Sequence, residues 1–492
     1  HRQRRPAADP DAPGRRLAGR LTVELTRRQL LAGAGATTLA AAGIYELAER
    51  AGRAPSRTMV TARPPEQHLL GGLRVVSDNG IEVVVPPLHH EIVTFRLPGG
   101  GPADLRDAQR RLALALAGLD QDYASTPAGL GVTVGWGLPY FRGPVAAPAR
   151  DHIPVDRRAS QAAAHPVSVL LDAIRFPSDT NGMLLEQNDA VLLLRSDNPA
   201  HIHDAHERLV GNLDVWQPTS IRRGFVGGGF DGGEGLPHKL AVAAGVPGAD
   251  LIPEQAELFL GFTSTQKAAL GPGRIANIET LGYSDGGPAG YFRQGTTMHV
   301  SHIFEDLESW FLTFDHTQRA ATVFGPARNV PEGTLTVSQS KDEVPTVAAI
   351  REDASRYERI GHSQAIQQTS RLAADVVGRD GTTYAKGTAV PIRADFNTLD
   401  NPFYWSADPG RDGLSPEARA GLHFVAFNPT SDDFHRNRLA MDGVLPGGRR
   451  LPLGSRDPGQ GFNSVLTTTH RQSFLVPPRR HRAFPLVEML QQ

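Results

Sequence analysis

One unit occurs twice in this sequence, and it constrains the fold more than any other feature. Asp189-Ala-Val-Leu-Leu-Leu-Arg195 is a continuous apolar run of strand length. It passes through Ser196-Asp-Asn-Pro199 into a helical segment, Ala200 to Val210. In the second half Gly421-Leu-His-Phe-Val-Ala-Phe427 reads as the same buried strand, Asn428-Pro-Thr-Ser431 as the turn, and Asp432 to Met441 as the helix. An Asp/Asn/Pro cluster between an apolar strand and a helix supplies the residues that start helices. Two copies predict a duplicated α+β module, with two antiparallel sheets and helices packed on them.

The remaining pattern fits between the copies. Leu73–Val76, Ile81–Val85 and Glu91–Leu97 are short β-rich runs bounded by turn residues, and Gly131–Gly137 returns to strand. Ala103 to Leu119 has helical periodicity, with Leu105, Leu112, Leu116 and Leu119 on one side. Thr296–Ile303 reads as extended and Leu307–Phe314 as helical. The expected organisation is a basic, Pro-rich and disordered residues 1–20, an export signal or anchor over 21–50, and a first domain over 70–225. A Gly-rich linking loop over 226–255 then leads to a second domain over 256–485.

Composition removes several classes of function. Lys+Arg 51 against Asp+Glu 52 leaves a net charge of -1, which gives no electrostatic footprint for nucleic acid. With 0 cysteines there are no disulfides, thiolate ligands, covalent c-type haem or cysteine nucleophile. Leu25-Thr-Arg-Arg-Gln-Leu-Leu31 precedes an uncharged run of small and apolar residues, Ala32 to Ile44. Paired arginines before a short apolar segment resemble a twin-arginine export signal, so an extracellular, cell-surface or periplasmic protein is expected. Retained, the segment would be a membrane tether.

The chemistry-bearing residues lie in two stretches. Tyr357-Glu-Arg-Ile-Gly-His-Ser-Gln-Ala-Ile366 offers one imidazole, His362. Val390-Pro-Ile-Arg-Ala-Asp-Phe-Asn397 offers Arg393 and Asp395 in an extended run. Residues i and i+2 of a strand share a face, so this guanidinium and carboxylate project into the same space. A histidine on one side of a planar cofactor and an Arg/acid pair on the other is what a haem peroxidase needs. Other tempting patterns carry less. His201-Ile-His-Asp-Ala-His206 reads as a solvated helix face rather than a zinc site, and Gly227-Gly-Gly-Phe-Asp-Gly232 as a loop, because no βαβ unit surrounds it.

The order of these pieces resembles the dye-decolorizing peroxidase family, over roughly residues 80–480. Gly131–Phe141, Asp189–Val210, Leu260-Gly-Phe262, Gly361-His-Ser363, Pro391-Ile-Arg-Ala394 and Gly421–Phe427 resemble that family's segments in sequence order. The resemblance implies two ferredoxin-like domains, with haem b in the second. It implies His362 as the ligand of the haem iron and Arg393 as the distal arginine. Phe262 and Phe424 would line the haem, and His302 or His299 would meet its propionates. Hydrogen peroxide and an unidentified reducing substrate are the implied partners, and a homo-oligomer is compatible with them. This sequence departs from the family at Gly261-Phe-Thr-Ser-Thr265, where Ser264 stands in place of the distal aspartate. A hydroxyl cannot act as a base near neutral pH, so the proton would pass to Asp395, helped by Ser264 through water. The alternatives are a non-catalytic haem-handling protein and a cofactor-free secreted binding module on the same fold.

Overall fold

The computed structural model describes residues 63–230, 234–270, 275–339, 344–400, 404–406 and 418–491. The segments read as a disordered terminus and as an export signal, and residues 231–232 of the Gly-rich run, lie outside the described residues.

Each half contains four antiparallel strands in the same order. In the first half these are β1 (His89–Arg96), β2 (Gly131–Gly137), β3 (Ala190–Ser196) and β4 (Gln217–Phe225). They lie side by side as β4-β1-β3-β2. Helix α1 (Pro102–Asp122) joins β1 to β2, and α2 (Pro199–His206) follows β3. The second half has β5 (Thr296–Glu305), β6 (Phe396–Asp400), β7 (Ala418–Asn428) and β8 (Leu466–Val476). Their order is β8-β5-β7-β6. Helices α3 (His316–Phe324) and α4 (His362–Ser370) lie between β5 and β6, and α5 (Ser431–Met441) follows β7. Fourth, first, third, second is the ferredoxin-like strand order, so the expected duplicated α+β fold is what the chain adopts.

The two sheets join at both edges. β8 pairs with β2 through Phe474↔Gly137 and Leu475↔Trp136, and β6 meets β4 at Asn397↔Phe225. The eight strands therefore close into a ring, which removes the exposed sheet edges that promote aggregation. Alternation along each strand sends one set of side chains inward and the other outward. Ile92, Val191, Leu193, Met298, Val300, Phe396, Val425, Phe427 and Phe474 form the inner core. On the outer face of the first half, Val93, Phe95, Val134, Trp136, Leu192 and Leu194 pack against Leu105, Leu112, Leu116 and Leu119 of α1. These are the four leucines that the periodicity selected. Each such fully buried side chain contributes about 1.5–3 kcal/mol.

Some local expectations shift. The helix after β3 is α-helical only through His206 and ends in a π-helical turn, Glu207–Gly211. Leu307–Phe314 contains a π-helical turn, Ser309–Thr313, rather than an α-helix. The stretch 226–255, expected as a linking loop, carries a helix, Leu236–Ala243, whose Leu240 and Ala241 are buried. Among the described residues no helix is long and apolar enough to cross a membrane.

Candidate functional site

The outer face of the second sheet is covered differently from that of the first. Between β5, β7 and β8 on one side and α4 and α5 on the other lies a cavity. It contains about 1700 Å³ of space, the solvent at its mouth included. Leu258, Leu260, Ile303, Ile366, Leu422 and Phe434 make much of its wall apolar. His362, Arg393, Asp395, Ser264, Phe262 and Phe424 all line it. Six of the eight residues singled out from the sequence thus meet in one space, although they come from four separate segments.

His362 is the first residue of α4, and glycines fix where it sits. Gly361 precedes it, and a Cβ there would stand 2.2 Å from the backbone nitrogen of Gly325, just past the end of α3. On another side Gly461, at φ +54, approaches so closely that its Cβ would be 3.3 Å from the Cα of His362. The imidazole packs on Phe462 with ring centroids 4.8 Å apart, and Phe462 in turn packs on buried Trp310 at 5.7 Å. Burial lowers the imidazole pKa to about 3, helped by the charges of Arg393 and Arg438. The ring is therefore neutral at physiological pH. Among the described residues it lines the cavity and makes no hydrogen bond, so its acceptor nitrogen keeps a lone pair for a ligand.

Arg393 and Asp395 project into the cavity as the i, i+2 argument requires, with Nε 4.0 Å from Oδ1. Arg393 Nη2 donates to the carbonyl of Ser264. Ser264 also lines the cavity, and its main chain is what holds the guanidinium. The wall also carries Asp179, Arg438 and Arg471. Arg471 Nη2 lies 2.6 Å from Asp179 Oδ1, and Arg438 bonds to Ser178 and Asp442. Sequence reasoning missed this buried charged group because its members are far apart in the chain.

His302 is a correction. Ser301, Ile303 and Glu305 line the cavity, so strand alternation turns His302 to the other face, inside the ring. There it bonds to Thr469 and lies 5.0 Å from the His423 ring and 6.2 Å from that of His470. It does not reach a ligand in the cavity. Its period-2 relation to the apolar Val300 was the signal that could have shown this. His299 shares the face of Ser301 but is taken up by Ser301 Oγ at 2.6 Å and Ser473 Oγ at 3.1 Å. In the first half, His206 Nδ1 pairs with buried Glu91 Oε1 at 2.6 Å.

A second residue went unnoticed. Glu257 is buried behind Ser264 and Thr265. Its Oε2 accepts from Thr265 Oγ1 at 2.7 Å and from the backbone N–H groups of Ser264 and Thr265 at 3.3 and 3.4 Å.

Comparisons with known proteins place this geometry in context. The chain is similar to solved DyP-type peroxidases. With the enzyme from Cellulomonas bogoriensis it shares 17% identity and a TM-score of 0.49, over 85% of this chain and 96% of that one. With DyPB from Rhodococcus jostii the figures are 13%, 0.44, 81% and 95%, and with a putative dyp-type peroxidase from Shewanella oneidensis 13%, 0.43, 83% and 96%. No curated protein matches the sequence. The model of DUF7405, a family of unknown function, matches residues 87–478.

Proposed function

Because the chain belongs to the DUF7405 family, whose function is unknown, its activity has to be read from its own site, and we propose that it is a haem-dependent peroxidase. One observation carries this reading. A neutral, unbonded imidazole, an arginine and a carboxylate line the same apolar cavity, and general chemistry assigns each of them a part in peroxide activation. The donor set fits haem b: a histidine with no competing partner, a largely apolar wall and no thiolate anywhere in the chain. His362 would hold the iron. Phe262 and Phe424 would border the macrocycle, and Arg438 or Arg471 would face its carboxylates.

Haem, when bound, supplies the redox-active iron at which peroxide reacts. The rest falls to the chain. The apolar wall excludes water, which strengthens every electrostatic interaction within it. Arg393, held by the Ser264 carbonyl, presents a fixed positive charge toward the oxygen that departs, a role comparable to an oxyanion-hole donor. Asp395, beside it, accepts the peroxide proton on a carboxylate oxygen and returns it to the leaving oxygen. Ser264 offers a hydroxyl that can hold a water but not serve as the base. The oxidised donor is left open. The paired arginines at Arg27 and Arg28 support export by the twin-arginine route, which carries folded, cofactor-loaded proteins.

The test is a spectrum. Protein produced with sufficient haem is expected to show a Soret band that His362→Ala abolishes or shifts to that of unligated haem. A colourless wild-type protein, or an unchanged band in the variant, would overturn the assignment. The hydroxyl at Ser264 favours a second reading, a haem-handling protein without catalysis. A peroxide assay on loaded protein decides between them, since only the enzyme loses its rate when Asp395 becomes Asn.

A further inference from the structure

Ser264 leaves the expected acid position empty of charge, yet a carboxyl lies immediately behind it. Glu257 is 1% exposed. One of its oxygens is gripped by three donors from residues 264 and 265, while the other, Oε1, is buried without a hydrogen-bond partner. An orphaned carboxyl oxygen in a dry environment is costly when the group is ionised, and much less so when that oxygen carries a proton.

The same short segment connects Glu257 to the cavity. Ser264 gives its N–H to Glu257 and its carbonyl to Arg393. The buried carboxyl and the guanidinium thus pull on opposite sides of one residue. On the other flank, the Asn397 side chain binds the Glu257 carbonyl and the N–H of Phe259, which fixes the backbone of residues 257–259. The charged groups acting on Glu257 are Asp395 and Arg393. Burial is the largest effect and raises its pKa; Thr265 opposes, the Asp395 charge raises it again and Arg393 lowers it. Together they push it up to about 7.

We propose that Glu257 is a positioning residue for the Arg393–Asp395 pair: it holds one exchangeable proton behind Ser264 and, through the main chain of Ser264, sets where the guanidinium sits. This rests on the peroxidase reading only for its catalytic consequence. The proton economy belongs to the folded protein whether or not haem is present. Two carboxyls and one guanidinium cannot all be ionised without net negative charge, so one proton stays in the group up to neutral pH and is lost above it. The proton-holding carboxyl missing at Ser264 is thereby supplied from behind.

The experiment uses the full-length protein without haem, so that a failure of the haem assignment leaves it intact. A carboxyl whose pKa is raised on folding binds its proton more tightly in the native state, so stability falls as pH rises between the unfolded value and the folded one. The unfolding constant of wild type relative to Glu257→Gln is therefore expected to rise about tenfold per pH unit between pH 4.5 and 7, and to level off above. Taken in an Asp395→Asn background, the same ratio should level off at a lower pH. With Arg393→Met it should level off at a higher one. Thr265→Val, which removes an opposing hydrogen bond without touching the carboxyl, should also extend the window upward. A purely structural glutamate would show no response to Asp395. A pH-independent ratio, or a window that Asp395→Asn leaves in place, would overturn the proposal.

Discussion

The two halves of this molecule run the same strand order and use it for opposite ends. In the first, α1 and α2 lie directly on the sheet, and Trp136, Tyr140, Trp216 and Phe484 fill the space between. In the second, α4 and α5 stand over a sheet whose outward residues include Ser301, Thr468 and Arg471, and a cavity remains. The connections explain the contrast. β1 leads to β2 through residues 97–130, little more than α1, whereas β5 leads to β6 through residues 306–395, which carry α3 and the histidine helix. Duplication supplied a scaffold twice, and the longer insertion made one copy a container.

That contrast can be broken by deleting one large side chain from each half. Trp136→Ala removes a fully buried ring whose Nε1 is bonded to the Arg482 carbonyl. It should cost about 3–5 kcal/mol in a denaturant titration, whereas Phe424→Ala, at the cavity wall, should cost less than half as much. Equal losses would mean that the second half is packed as solidly as the first. Arg393→Ala should slow the peroxide reaction of loaded protein by about 10²–10³, or 2.7–4 kcal/mol. A stopped-flow rate within threefold of wild type would remove Arg393 from the chemistry.

Gly361→Ala sharpens the comparison at the histidine helix. Its methyl group would press on the Gly325 backbone and should cost about 1–3 kcal/mol, as overpacking does, with a matching loss of haem affinity. The smallest expected effect is one of pH. Because burial keeps the His362 pKa near 3, the neutral ligand persists well below its ordinary range. The Soret band should therefore hold its position from pH 8 down to pH 5. The sign for stability is opposite to that of Glu257: an imidazole with a depressed pKa favours the fold above its unfolded value and loses that contribution as pH falls from 6.5 toward 3. A midpoint for the spectral change near pH 6.5 would show an exposed, ordinary histidine.

What the sequence disclosed follows from which interactions are local. The two strand–turn–helix units, the leucine face of α1 and the shared projection of Arg393 and Asp395 depend on period and on near neighbours, and all were legible. The face of His302 was legible too, through its alternation with Ser301 and Ile303, but resemblance to a family pointed the other way. Glu257 could not have been found. In Glu254-Gln-Ala-Glu257 it looks like any surface carboxyl, and only the fold of residues 264–265 over it makes it buried. The Asp179–Arg471 pair was hidden for the same reason, since its partners meet only after β8 has docked.

The seating of β8 has one more consequence. This strand is inserted between β5 of its own half and β2 of the other, and it contributes Leu466, Thr468 and Arg471 to the cavity wall. Synthesis therefore delivers it after the other seven strands of the ring. A product truncated before residue 466 would have neither a closed ring nor a finished pocket.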